Sequence, residues 1–399
     1  ARYCRSSNRS GYLPEDANRC CGFRVVLGEA PKTAPLPEAE PALFRRNVKQ
    51  TPAPKSGPAG AFFTDYRGKR PTIPANSWGP VFSAWNHDTA VCVCPNGDVL
   101  ATWYTTKSES GRELAVAASR LPAGGDAWQP ASSFLDVPDV NDHAPALLCD
   151  GKRVYHFSNQ ALSGWVDAAV VMTTSDDSGA TWAEPRIIIP RGRSEVNPAN
   201  RNMPVCAFIA KDGVFGLILD ASRKSSCMAI SKDKGETWQL TKGLISGIHA
   251  ATAGLDDGRI VAFGRGPNPM PVSISSDLGE TWEVNKTPFG PIGVGAKATA
   301  LKLAGGALLL CTGDTRKPPL TGKRGTMAAL SYDAGKSWKH IRQLPGVGGY
   351  MSVAQAPNGV IHVFGSRMSC VSFTEAWLEK GKGLEDLLEN RPEKETGSK

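Results

Sequence analysis

SDDSGATW at 175–182, SKDKGETW at 231–238, SSDLGETW at 275–282 and SYDAGKSW at 331–338 share one pattern, Ser-x-Asp-x-Gly-x-Thr/Ser-Trp. Four copies of a five-position pattern in one chain mark an internal repeat. Asp accepts backbone N–H bonds inside a tight turn, Gly supplies a positive φ, and the Ser and Thr hydroxyls satisfy further turn groups. The tryptophan fills an apolar gap between neighbouring elements. The octapeptide is thus the turn of a hairpin, and each copy marks one antiparallel unit. A degenerate fifth copy, SRLPAGGDAW, ends at Trp128. The tryptophans Trp128, Trp182, Trp238, Trp282 and Trp338 are spaced by 54, 56, 44 and 56 residues.

Ahead of each copy lies a second motif: an apolar strand, a turn built on Asp-Gly, Asn-Gly or a similar pair, and another apolar strand. The segments are TAVCVCPNGDVLATWY (89–104), APALLCDGKRVYHF (144–157), PVCAFIAKDGVFGLIL (204–219), ATAGLDDGRIVAFG (251–264) and TALKLAGGALLLCTG (299–313). A sixth, MSVAQAPNGVIHVFG (351–365), follows the last octapeptide. Each hairpin plus a third strand gives about 45–55 residues, the size of one four-stranded propeller blade. The spacing predicts an all-β fold, a six-bladed β-propeller. The stretch Ala61–Val81 is expected to supply the strand that closes the ring with blade 6.

The octapeptides resemble the Asp boxes of bacterial sialidases and their relatives, and the similarity runs from about Phe62 to Trp377. The resemblance implies a sialidase-like propeller with the Asp boxes on its rim, away from a central site. The opening segment, ARYCRSSNRSGYLPEDANRCCGFRVVL, is similar to the last part of formylglycine-generating-enzyme-like domains in its Arg-Ser-x-Asn run and its closing Gly22-Phe23-Arg24. It lacks the upstream part of that fold, so no activity carries over. The expected organisation is a remnant of that domain at 1–28, a Pro- and Ala-rich linker at 29–60, the propeller at 61–378, and a charged tail with a short helix at 379–399.

Composition narrows the class. The 399 residues include 42 Gly and 30 Pro and are 41% hydrophobic, which suits a turn-rich globular protein. No apolar run reaches the length of a membrane helix. The net charge of +8 favours anionic partners through the long-range field, but basic residues do not cluster with aromatics, so nucleic acid is not an expected partner. The chain opens Ala1-Arg2-Tyr3-Cys4 without Met and without a visible signal peptide, consistent with removal of a leader or an upstream region. The expected setting is secretion or the periplasm. Ten cysteines form no CxxC pair, which argues against a zinc knuckle or redox motif; Cys206–Cys227 is one conceivable disulfide.

In a propeller the first strand of each blade lines the central channel, so residues at the start of those strands surround one pocket. Here they read His87-Asp88, Asp142-His143, Arg201-Asn202, His249, Lys297 and Tyr350. Three of the six histidines fall at this one equivalent point. Such a ring suits general acid–base work, although a polar channel mouth needs solvated side chains in any case. The spacing of the histidines gives no local ligand motif, and neither metal nor cofactor is expected.

The sialidase resemblance implies roles. Tyr350, in GYMSVAQAPNGVIHVFG, stands where the family carries a tyrosine nucleophile; sialidases are retaining enzymes without the usual carboxylate pair. Asp142 stands near the acid/base aspartate, and the adjacent His143 could serve instead; apart from the resemblance, His87, His143 or His249 could act with Tyr350. Arg265 and Arg324 match two positions of the arginine clamp on the sugar carboxylate, and Arg223 is a further rim position. His249, Asp88, Lys297 and Arg201 complete the expected substrate-binding set. Two departures stand out. His87 occupies the place of the first clamp arginine, and Gly254 lies near the expected place of the glutamate that activates the tyrosine.

Three functions follow as expectations. One is a sialidase-like exo-glycoside hydrolase on acidic sugars of a glycan. The second is a His/Tyr-dependent glycosidase or lyase on a uronate-containing polysaccharide. The third is a carbohydrate-binding propeller without turnover.

Overall fold

The computed structural model describes residues 67–69 and 85–389, apart from 113, 126, 138 and 139. The expected domain remnant and linker lie outside the described residues. Six antiparallel sheets follow one another, with innermost strands Trp85–Val93, Asn141–Cys149, Met203–Ile209, Ile248–Gly254, Thr299–Lys302 and Ser352–Gln355. Each innermost strand touches the next around the ring, and that of blade 6 touches that of blade 1. The six-bladed β-propeller is therefore closed. Closure comes from the N-terminal side: Arg67–Lys69 pairs antiparallel with Ser369–Thr374 as the outermost strand of blade 6. Antiparallel closure of this kind leaves only short sheet edges.

The octapeptides form four equivalent turns. In the first, Ser175 Oγ accepts the Gly179 N–H at 2.7 Å, while Asp177 accepts the Thr181 N–H at 2.8 Å and the Thr181 hydroxyl at 2.6 Å. The same bonds recur from Ser231 and Asp233, Ser275 and Asp277, and Ser331 and Asp333. The turn is tighter than its glycine alone requires. The residue before each glycine (Ser178, Lys234, Leu278 and Ala334) also has a positive φ, from 55° to 63°. Two successive left-handed residues cost strain, which the side-chain network of Ser and Asp offsets.

The tryptophans tie blades together. Trp182 meets Phe134 of the preceding blade edge-on at 5.0 Å, and Trp238 meets Phe157 at 5.5 Å. Trp338 meets Phe263 at 5.9 Å, Trp282 packs among Met228 and Ile245 of blade 3, and Trp128 meets Phe364 of blade 6 at 5.3 Å. Each ring thus packs back onto the blade before it, and the core is six inter-blade layers rather than one centre. Cys206 and Cys227 are both free thiols, so that conceivable disulfide is absent; Cys227 is wholly buried as a small apolar core residue. Among the described residues no helix is long and apolar enough to cross a membrane.

The leading ends of the inner strands are irregular in a repeated way. Asp88, Ala144, Asn202 and His249 all adopt positive φ, between 45° and 52°. Register shifts follow at His87/Thr89, His143/Ala146, Pro204/Cys206 and Ile248/Ala251. Bulges of this type bend a strand and re-aim its side chains. In four blades the same device turns the first residues of the channel strand toward one face of the ring.

Candidate active site

That face carries a cavity of about 1180 Å³. Blade 1 contributes His87, Tyr104 and Glu109 to its wall, and blade 2 contributes His143. Arg201 comes from the start of blade 3, His249 and Arg265 from the two ends of the first hairpin of blade 4, and Tyr350 and Ser366 from blade 6.

Tyr350 is the convergence point. Its hydroxyl lies 3.0 Å from His249 Nε2 and accepts from an Arg265 guanidinium nitrogen at 3.0 Å. On its other side His249 Nδ1 lies 2.9 Å from Asp220, whose second carboxylate oxygen accepts the His249 backbone N–H at 2.7 Å. Asp220 is fully buried at the end of the strand Phe215–Asp220. Burial pushes its carboxyl up, but His249 and Arg201 outweigh burial and hold it below the usual range. A proton on Nδ1, on the side facing Asp220, leaves the Nε2 lone pair to the phenol. Burial pushes the Tyr350 hydroxyl up to about 12 against the pull of Arg265, so at neutral pH it keeps its proton and needs a base to become a phenolate.

His87 forms the next layer. Its ring centroid is 4.1 Å from that of Tyr350. Ser366 Oγ accepts the Tyr350 backbone N–H at 2.9 Å and lies 2.7 Å from His87 Nδ1, so one hydroxyl orients both residues. Gly349 makes this approach possible, since a Cβ there would sit 2.6 Å from Ser366 Oγ. His87 Nε2 faces Glu109 at 3.9 Å, and Glu109 in turn accepts the Tyr104 hydroxyl at 2.5 Å. Burial lowers the His87 imidazole despite the opposing charges of Asp88 and Glu109. His143 stacks on Tyr104 at 4.7 Å and is driven by burial down to about 4, so it is neutral at physiological pH.

Several residues named from sequence lie elsewhere. Asp142 is off the cavity, fully buried, and accepts the Val137 N–H at 2.6 Å and the Gln160 amide at 3.4 Å. Successive residues of a strand point to opposite faces, so the same strand that presents His143 turns Asp142 away. The position expected for an acid/base is that of a loop anchor. Arg324 is exposed just before Thr326–Ser331, the third strand out from the axis, and Arg223 is exposed on a turn; neither reaches the cavity. Lys297 and Asp88 pair with each other, Nζ to Oδ1 at 2.7 Å, and are buried beneath Tyr350, with Nζ 5.8 Å from its ring centroid. They plug the axis rather than line the cavity. Asn202 is buried and bonds Asn197 and the Ala168 carbonyl. Gly254 is at the far end of its strand from His249, where a Cβ would meet Ala210 Cα at 2.9 Å, too close for any glutamate. The group beside the phenol is His249 with Asp220.

Comparison with known proteins places the fold. A family model described as the BNR repeat-like domain matches residues 97–363. The chain belongs to this family. The BNR propeller is similar in fold to the Hadza microbial sialidase Hz136, with a TM-score of 0.61, 17% identity, and coverage of 73% of this chain and 66% of that one. The chain therefore spans slightly less than two thirds of that sialidase. NanB sialidase from Streptococcus pneumoniae gives a TM-score of 0.62 at 14% identity, covering 75% of this chain and 70% of that one. The intramolecular trans-sialidase from Ruminococcus gnavus gives 0.58 at 14%, covering 75% and 96%. At these identities the likeness establishes the sialidase-like fold. No curated protein matches the BNR propeller in sequence.

Proposed function

We propose that this BNR propeller is a retaining exo-glycoside hydrolase acting on an acidic terminal sugar of a glycan, with Tyr350 as nucleophile. The observation that carries the reading is the Tyr350 hydroxyl held 3.0 Å from both His249 Nε2 and Arg265 at one cavity wall. Arg265, with Arg201 on the same wall, attracts the sugar carboxylate. An anionic sugar repels a carboxylate nucleophile, whereas a phenol approaches uncharged. His249 takes the phenol proton as the oxygen bonds the anomeric carbon, and Asp220 stabilises the imidazolium. Glu109, the one carboxylate among the described residues that line the cavity, gives a proton, from its protonated form, to the departing oxygen as the glycosidic bond breaks. It then takes a proton from the water that hydrolyses the aryl-glycosyl intermediate, and His249 returns its proton to Tyr350. The sialidase neighbours support the sugar class.

A second reading uses the same groups on a uronate polymer. Arg265 would neutralise the uronate carboxylate, and the Tyr350–His249 pair would remove the proton beside it and expel the leaving sugar by β-elimination. It is favoured by the imidazole, rather than a carboxylate, beside the phenol. The test is release of a chromophore from an aryl α-sialoside, repeated with Tyr350→Phe. Release by the wild type and its loss in the variant support the hydrolase. No release, with growth of unsaturated-uronate absorbance on polygalacturonate, moves the assignment to the lyase. Neither product overturns both in favour of binding without turnover.

A further inference from the structure

We infer that Trp85 and Trp165 form a stacking platform for the sugars that follow the acidic residue, so the ligand is an oligosaccharide end rather than a single monosaccharide. The inference rests on the reading that an acidic sugar sits at Tyr350 and Arg265. Large apolar side chains in a propeller of this kind are expected in the inter-blade layers. These two indoles are instead 51% and 44% exposed, and both line the Tyr350 cavity. An indole is a wide, flat apolar surface whose burial by a partner is favourable, and it stacks on the C–H faces of pyranose rings much as aromatics stack on each other.

Their placement gives the platform a direction. Trp85 and His87 are two apart on one strand and both face the cavity. His87 packs on Tyr350, so Trp85 continues the same wall outward from the nucleophile. Trp165 sits at the tip of the hairpin between Val154–Ser163 and Val166–Ser175, two strands of ten residues each. That tip leans on the loop that carries Glu109: a Cβ on Gly164 would lie 4.0 Å from Ser110 Cβ. Glu109 is the group assigned to the leaving oxygen, so Trp165 stands on the leaving-group side. The cavity is also lined by small residues, Val294, Gly295 and the glycines at 346, 348 and 349. The cavity of about 1180 Å³ exceeds the ~300–1,000 Å³ usual for a small-ligand site, leaving room beyond one sugar.

Calorimetric titration of the Tyr350→Phe protein tests this, with N-acetylneuraminic acid and 3′-sialyllactose as probes. The trisaccharide is expected to bind about ten-fold more tightly than the monosaccharide, in line with one good aromatic contact. Adding Trp165→Ala or Trp85→Ala is expected to remove that gain and leave the monosaccharide affinity unchanged, with Trp→Phe retaining part of it. Melting temperatures of the variants verify that the fold is intact. Equal affinity for the two probes, or a gain that survives both alanine substitutions, overturns the platform alone. Binding of neither probe overturns the acidic-sugar reading, and the platform with it.

Discussion

The Tyr350 hydroxyl lies 3.0 Å from Nε2 of His249, where the sialidase resemblance implies a glutamate. An imidazole can fill that role only if its tautomer is fixed. Asp220 is placed to do this: one oxygen accepts the His249 backbone N–H at 2.7 Å and the other lies 2.9 Å from Nδ1. Asp220→Asn keeps the shape but loses the acceptor that holds Nδ1–H. We expect kcat to fall by roughly 10²–10⁴-fold with little change in KM, as for the orienting carboxylate of other nucleophile–His–Asp sets. His249→Ala is expected to lose at least as much. A kcat within two-fold of wild type for Asp220→Asn would show that the relay does not operate.

Glu109 has a different signature. A general acid matters most when the leaving oxygen is basic. Glu109→Gln should lower kcat/KM on 3′-sialyllactose by about 10²–10⁴-fold. A nitrophenyl sialoside, whose leaving group needs no proton, should lose far less. Equal losses on the two substrates would remove Glu109 from the acid role. Because Glu109 also accepts the Tyr104 hydroxyl, Tyr104→Phe provides a control for local disorder.

How far the sequence led can be traced residue by residue. The Asp-box turns close within seven or eight residues through Ser, Asp, Gly and Thr, so the repeat was readable from local chemistry, and the six strand–turn–strand hairpins carried the blade number. The channel-facing histidines and Tyr350 were readable because ring closure brings equivalent repeat positions together. Asp220 and Glu109 were missed. Asp220 ends the second strand of blade 3 and acts on a residue 29 positions away, and Glu109 lies on a loop of no repeating pattern. A carboxylate that terminates the apolar run FGLILD was the available signal. Asp142 and Arg324 were misplaced for geometric reasons: strand alternation hid the first, and a position on the third strand from the axis removed the second.

Acid should destabilise the fold from about pH 6.5 downward through histidines that burial holds neutral. Burial lowers His143 to about 4, His156 to about 3 and His362 to about 4. Each is depressed below its unfolded value near 6.5, so its stabilising contribution is complete above that pH. It is lost as pH falls from about 6.5 toward the folded values, at about 1.4 kcal/mol per unit for each histidine. The melting temperature is therefore expected to drop steeply between pH 6.5 and 4. His362, whose Nδ1 lies 2.8 Å from Ser372 Oγ, does not line the cavity. His362→Gln should flatten the slope without altering turnover at neutral pH. An unchanged slope would mean that the ring is not held neutral in the fold.

A buried ion pair in blade 1 also reaches across to blade 2. Arg120 and Asp98 have fully buried side chains and meet at 2.8 Å. Asp98 also accepts from the Asn96 amide and the Ala123 N–H, and Arg120 reaches across to the Ser178 carbonyl at 2.8 Å, inside the Asp-box turn of blade 2. Removing one partner leaves an uncompensated buried charge. Arg120→Met is expected to cost about 3–5 kcal/mol in chemical denaturation, well beyond the loss of one surface bridge such as Arg153–Asp176. Replacing both, as Arg120→Met with Asp98→Leu, removes the buried charge along with its partner and should recover most of that stability. The turn at 177–181 keeps its own Ser175 and Asp177 bonds in either variant, so the Trp182 contact should persist. If the double variant is no more stable than the single one, the pair's worth lies in its hydrogen bonds to the two blades rather than in charge compensation.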